Sequence, residues 1–341
     1  MTTLLVAATG GHLTELHLLR RYLVPDDEDV VWVTFDTPQS RSLLHGERVE
    51  HLPYIGPRQL GRVLQGRRAA RRLFAAHDVT RVLSTGSAIA LSVLPLAAQR
   101  GIACDYVEAA ARTAGPSVTG SLLSRVKGVQ TFTQWDSWAC EQWPLTTSVF
   151  ENYRPDAPAV PLKRLSKVVV SLGTIQGYSF RRLVNRLLEV LPPDCEVLWQ
   201  TGSTDVGGLA LDGAPLLPPE TLQAAMCSAD AIVAHAGVGS ALAVLALGRR
   251  PLLVPRRPAF REHVDDHLSQ IAGELADREL ALSCEADQIT LEDLLVAGAA
   301  RVAPSAERRR AGGRERFRPR NMRPLSHAVL HPDHGEVPCA P

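Results

Sequence analysis

One unit recurs through the sequence and limits its possible folds: a short apolar run, a glycine-containing turn, then a helical pattern. Residues 3–8 read as a buried strand, Gly10 and Gly11 follow, and Leu13, Leu16, Leu19 and Leu23 then fall on one helical face. Residues 30–34 are a second strand. Residues 81–84 are another, followed by Thr85-Gly86-Ser87 and an apolar helix to about residue 100, and 103–107 give one more. Strands alternating with helices call for parallel sheets with crossover helices.

Pro155, Pro158 and Pro161 interrupt this rhythm, and proline restricts both itself and its predecessor to extended shapes. The unit then restarts. Strands are expected at 167–171, 196–200, 231–234 and 251–254, and helices at about 179–191, 263–275 and from the turn after His235 to about 247. The expected organisation is a first domain over 1–154, a linker over 155–166, a second domain over 167–300 and a basic tail over 301–341. The fold class expected is α/β, with two doubly wound Rossmann-like domains facing a cleft. Ligands of such sheets bind beyond the carboxyl ends of the strands.

A chain of 341 residues suits two domains, each large enough to bury a core. The net charge of +1 gives no global field, so no nucleic-acid partner is expected. Between Arg301 and Arg323 there are nine arginines and two acids, which reads as a solvated, loosely attached terminus. Cys104, Cys140, Cys195, Cys227, Cys284 and Cys339 show no zinc spacing and read as reduced thiols of a cytoplasmic protein. No signal peptide is visible, and the longest apolar stretch, 88–98, is far short of the roughly 20 residues of a spanning helix. Arg58, Arg62, Arg67, Arg68, Arg71 and Arg72 alternate with Leu60, Val63, Leu64 and Leu73. That pattern is either a solvated helix face or a basic amphipathic helix for an anionic membrane surface. Asp27 and Asp29 form a DxD, but within a surface turn, so no metal site is expected.

The sharpest local feature is His235-Ala-Gly-Val-Gly-Ser240, set between an apolar strand and an apolar helix. Gly237 and Gly239 would let backbone approach a ligand, and the helix N-terminus at Val238 would offer free N–H groups to a pyrophosphate, with the Ser240 hydroxyl beside them. Taken alone, the same hexapeptide is equally a tight turn with a serine cap. Its two glycines lack the third of the dinucleotide fingerprint.

This hexapeptide, followed by Leu247-Gly248, 251–255 and Glu262-His-Val-Asp-Asp-His267, resembles the C-terminal signature of family 28 glycosyltransferases. The wider stretch from 168–174 through Trp199-Gln-Thr-Gly202 is similar to the catalytic subunit of two-part bacterial exopolysaccharide glycosyltransferases. It is also similar to that subunit in the eukaryotic UDP-GlcNAc transferase acting on dolichol-linked oligosaccharide. In the first half, 9–16, Ser84-Thr-Gly-Ser87, Tyr106-Val-Glu108 with Ala111-Arg112, and 119–123 resemble the companion subunit. The chain thus looks like a fusion of both, over roughly residues 1–298.

The resemblance implies a GT-B hexosyltransferase that works without metal or cofactor. It would take a UDP-sugar, UDP-GlcNAc-like, as donor, and its acceptor would be polyprenyl-linked, a polysaccharide or a natural product. Such an enzyme is expected in the cytoplasm or peripherally at the inner face of the membrane. Gly173, Thr174, Gln200, His235, Gly237, Val238, Gly239 and Ser240 are implied at the nucleotide and diphosphate, and Glu262, Asp265, Asp266 and His267 at the donor sugar. Carboxylates suit paired sugar hydroxyls through charge-assisted bonds, although acids also favour a helix start. In the first half, Gly10, Gly11, Gly86 and Ser87 would form acceptor or phosphate loops. His12 is implied as the general base, an imidazole being matched to proton removal near neutral pH. Glu15 would orient or replace it, and Glu108 is a second acidic candidate; His12 as a helix cap and Glu108 as a structural acid are the plainer readings. Ala243 stands where the family carries an acid for the ribose, and Leu268 where it carries Gln. These departures leave a non-catalytic nucleotide-binding scaffold as the alternative, with a sugar-nucleotide epimerase or hydrolase behind it.

Overall fold

The computed structural model describes residues 2–305 except 57–58, 158–159, 174–176 and 264. The first half runs β1 (Thr2–Ala7), α1 (Gly11–Leu23), β2 (Asp29–Thr34), α2 (Pro38–Leu43), β3 (Val49–His51), α3 (Leu60–Ala76), β4 (Val79–Gly86), α4 (Ala88–Ala98), β5 (Ala103–Val107), α5 (Val118–Leu123) and β6 (Val129–Phe132). Its six strands are parallel and ordered β3-β2-β1-β4-β5-β6. The central strand β1 is buried along its whole length, which is why it reads as a continuous apolar run and not as an alternation. Helix α4 is apolar almost all round because the sheet lies on one side of it and α3 on the other. Gly66 makes that helix contact possible: a Cβ there would lie 2.5 Å from Ser92 Oγ.

A short strand β7 (Tyr153–Pro155) leads out of this half. The second half runs β8 (Lys167–Ser171), α6 (Arg181–Val190), β9 (Glu196–Gln200), β10 (Gly213–Ala214), α7 (Pro219–Ser228), β11 (Ala231–His235), α8 (Val238–Leu245), β12 (Leu252–Val254), α9 (His267–Asp277), β13 (Leu282–Ser283), α10 (Leu291–Ala299) and β14 (Val302–Pro304). Its parallel sheet, β10-β9-β8-β11-β12-β13, repeats the topology of the first. The two sheets therefore have equivalent switch points, between β1 and β4 and between β8 and β11.

Leu13, Leu16 and Leu19 of α1 share one apolar cluster with Ala241, Leu242 and Leu245 of α8 and Ile271 and Leu275 of α9. The halves are thus joined by packed core as well as by chain. Strand β14 pairs antiparallel with β7, so the chain returns beside its own crossover. The first residues of the expected tail, 302–304, are this strand, and the tail beyond 305 lies outside the described residues. Among the described residues no helix is long and apolar enough to cross a membrane. Cys104, Cys195, Cys227 and Cys284 are free thiols.

Candidate active site

Each switch point feeds a glycine turn into a helix. After β1, Gly10 takes a φ of 95° and leads into α1 at Gly11; after β11, Gly237 leads into α8 at Val238. The two helix starts meet. A Cβ on Gly239 would lie 3.3 Å from Gly11 Cα, so here two backbones approach each other directly. This changes the reading of the His235–Ser240 glycines. A Cβ on Gly237 would lie 2.4 Å from His235 Nε2, and one on Gly173 would lie 2.6 Å from the same ring. Gly173 and Gly237 make room for a histidine, and Gly239 makes room for the other half of the molecule. Both glycines thus have packing reasons of their own, beside the ligand approach expected of them. Gly237, Gly239 and Ser240 stay partly accessible while Val238 is buried.

His235 closes β11 and lies among Gly173, Gly237 and Ser240, whose hydroxyl is 3.4 Å from its Nδ1. Burial, with the charge of Arg256 added, takes its pKa down to about 3, so the ring is neutral. Gln200, at the end of β9, donates to Ser171 Oγ at 3.1 Å and accepts from Leu217 N–H at 3.1 Å. Its amide is spent within the fold. Thr174 lies outside the described residues.

His12 sits in the first turn of α1. Its Nδ1 is 2.8 Å from the Thr85 carbonyl, to which it can only donate. That bond fixes the tautomer with the proton on Nδ1 and leaves the Nε2 lone pair to accept one. Burial, and the Arg112 charge, hold its pKa below the ordinary 6.5. Thr85 and the buried Gly86 are the last residues of β4, so the ends of β1 and β4 both reach this ring, while Ser87 is half-buried beside them.

Glu15 does not orient His12. It is 2 % exposed and accepts from the Ala110 N–H at 2.8 Å and Gln134 Nε2 at 3.1 Å. Burial, with Glu108 adding to it, raises its pKa to about 8. Glu108 is likewise internal: it accepts from the N–H groups of Ser117 at 2.8 Å and Ala109 at 3.0 Å, and from the Tyr106 hydroxyl at 3.1 Å. Both acids brace the loop after β5, whose next polar side chain is Arg112.

Helix α9 begins at His267, four residues later than the expected start, so Glu262, His263, Asp265 and Asp266 precede the helix and are not its charged first turn. Glu262 is 3 % exposed, takes both forks of Arg182 at 3.1 Å and also accepts from the Arg257 N–H. With both oxygens engaged it is a brace for this loop, not a free sugar-binding carboxylate. Asp266 is exposed and paired with Arg257 at 2.8 Å. Asp265 faces the other half: its Oδ2 meets Arg112 at 3.1 Å, while Oδ1 takes a short bond from His267. Although burial pushes the Asp265 carboxyl up, His267 and Arg112 together hold it below its usual range. His267 is brought down to about 4, by burial first and Arg112 second, so it donates to Asp265 as a neutral ring. Ligand atoms of His263, Asp265 and His267 lie within 4.8 Å of one another, the one arrangement among the described residues able to hold a metal ion. The Arg112 guanidinium on Asp265 works against a second cation there.

The structure therefore gathers His12, Gly11, Gly86, Arg112, Gly239, Asp265 and His267, and leaves Gln200, Glu15, Glu108 and Glu262 inside the fold as braces. Arg112 entered the sequence reading only as part of a motif; its reach across the cleft had no sequence signal. Leu268 is 4 % exposed within the apolar cluster, and Ala243 is exposed on α8, so Leu268 is a packing position here.

Residues 168–311 match the glycosyltransferase family 28 C-terminal domain. The match covers most of the second half of the chain and stops short of the first. Among solved structures the chain is similar to MurG of Acinetobacter baumannii, at 21 % identity over 86 % of this chain and 88 % of that one, with a TM-score of 0.53. It is similar to the glycosyltransferase SnogD from Streptomyces nogalater, at 18 % identity over 87 % and 91 %, TM-score 0.53. A third is the Streptomyces sp. SF2575 glycosyltransferase SsfS6 complexed with thymidine diphosphate, at 17 % identity over 83 % and 87 %, TM-score 0.51. No curated protein matches the sequence. These likenesses span both halves, so the whole chain has the GT-B fold.

Proposed function

We propose that the protein is a family 28 glycosyltransferase that moves a sugar from a UDP-sugar, UDP-GlcNAc-like, to a hydroxyl of a lipid-linked, polysaccharide or natural-product acceptor, with inversion. The observation that carries the reading is the meeting of two helix N-termini at Gly11 and Gly239, beside His12, whose ring feels the charge of Arg112. Two N-termini and a guanidinium make one electropositive focus, suited to a diphosphate that gains negative charge as it leaves. In the displacement, the acceptor oxygen gives its proton to His12 Nε2 and bonds to the anomeric carbon. The bond from that carbon to the diphosphate oxygen breaks, and the nucleoside diphosphate leaves toward the start of α8. Asp265 and His267 are the sugar-side groups in this scheme, and Arg112 balances the diphosphate in place of a metal. A neighbour of the same fold carries thymidine diphosphate, so a TDP-sugar is the competing donor.

Calorimetric titration with a panel of UDP-sugars and one TDP-sugar, followed by nucleotide release with and without acceptors, tests this. Acceptor-dependent release is expected. Absence of affinity for every nucleotide ends the reading. Binding without release supports the scaffold alternative, which the exposed Ala243 and the core-facing Leu268 favour, and acceptor-independent conversion points to an epimerase or hydrolase. The outward face of α3, with Arg62, Arg68, Arg71 and Arg72 and the 62 % exposed Leu64, supports docking on anionic lipid next to a polyprenyl acceptor.

A further inference from the structure

Arg256 follows the end of β12, two residues past Val254, and its side chain is wholly buried, 0 % exposed. Its guanidinium donates to the carbonyl of Leu172, the residue before Gly173, and to that of Tyr178 at 3.2 Å. Its Nε has no hydrogen-bond partner among the described residues. The Phe180 ring lies 5.6 Å away. Glu262, the carboxylate whose charge acts on Arg256, is already bonded by both forks of Arg182 and by the Arg257 N–H. Burial lowers the Arg256 pKa only to about 10, so the group is charged at neutral pH. Its charge is felt by His235 and His263, which places it beneath the strand ends of β8, β11 and β12. Two carbonyls satisfy hydrogen bonds but cannot cancel a full charge. A buried cation without a dedicated anion is costly, and such a position is relieved when an anion arrives.

We propose that Arg256 is a positioning residue for the donor: it pins Leu172 and Tyr178 around Gly173 and holds a buried positive charge that the diphosphate completes. The inference rests on the nucleotide-sugar reading above and adds to it a residue that sequence motifs did not single out.

Calorimetry on the full chain with UDP, TDP, uridine and inorganic pyrophosphate tests it, comparing wild type with R256Q and R256K. UDP and pyrophosphate are expected to bind roughly tenfold or more weakly to R256Q, one opposite charge having been lost from a partly dry site, while uridine is unaffected. R256K, which keeps the charge but cannot bridge both carbonyls, is expected to recover part of the UDP affinity. UDP binding by R256Q equal to wild type overturns the proposal. So does an equal proportional loss for uridine and UDP, the signature of a packing role. If R256Q does not fold, R256K decides by the same comparison: pyrophosphate affinity retained supports it, and an equal loss for uridine and UDP overturns it. Wild type that binds pyrophosphate but neither UDP nor TDP fails the nucleotide reading while leaving the anion role of Arg256 standing.

Discussion

His12 is made a base by two neighbours with different tasks. The Thr85 carbonyl accepts the Nδ1–H, and Arg112, adding to burial, holds the pKa of the ring below its ordinary value. His12→Ala is expected to lower kcat by roughly 10²–10⁴ while donor affinity, measured by calorimetry, stays near wild type. Because the ring is held below 6.5, kcat/KM should hold as pH falls through 6.5 and decline only below it. Arg112→Met, tested by the same pH profile, should move that decline upward. Glu15 gives a prediction on stability. Its folded pKa of about 8 lies above the ordinary 4.5, so between those values the folded chain keeps a proton that the unfolded chain has released. Its contribution to stability is therefore full below pH 4.5 and is lost as pH rises toward about 8. Glu15→Gln should flatten this slope when urea midpoints are compared across the window. His235 and His267, held at about 3 and about 4, contribute the opposite slope below 6.5 in both proteins, and it cancels in the comparison.

At the scale of elements, the turns have less freedom than their glycines suggest. Gly237→Ala drives a Cβ to 2.4 Å from His235 Nε2, and since that ring is enclosed the expected loss is about 1–3 kcal/mol in denaturant unfolding, with weaker nucleotide binding alongside. Helix α3 turns Val63, Gly66, Ala70 and Leu73 inward and its arginines outward. Reversing Arg68, Arg71 and Arg72 to Glu should abolish co-sedimentation with anionic vesicles and leave turnover on a soluble acceptor unchanged. The strands are the most legible elements: 103–107, 167–171 and 196–200 are read to the residue, because β-branched and other apolar residues cluster in short segments bounded by polar ones. Short edge strands such as β3 and β10 carry no such cluster and are not read. The start of α9 was placed too early because acids and histidines mimic a first turn, while in the fold Glu262 is drawn off to Arg182. The site was legible as turns and less so as chemistry. Sequence puts Glu15, Glu108 and Glu262 near the site, but only the packing shows that Glu108 and Glu262 have both oxygens engaged and that Glu15 is tied to the β5 loop through one of its own.

Across the whole molecule, the two sheets are held by the apolar contact of α1 with α8 and α9 and by the Arg112–Asp265 pair. That pair is 30 % and 38 % exposed at its two side chains, so its contribution to stability is screened by solvent. A double-mutant cycle of Arg112→Ala and Asp265→Ala, followed by urea unfolding, should give a coupling below about 1 kcal/mol. A much larger coupling would mean that the ion pair, and not the apolar contact, fastens the halves. The touching of Gly11 and Gly239 bears on how such a molecule moves. Neither residue has a side chain to swing aside, so the gap at the crevice floor cannot be adjusted by rotamers. Any widening of that point has to come from displacement of main chain, and closure is limited where main chain meets main chain.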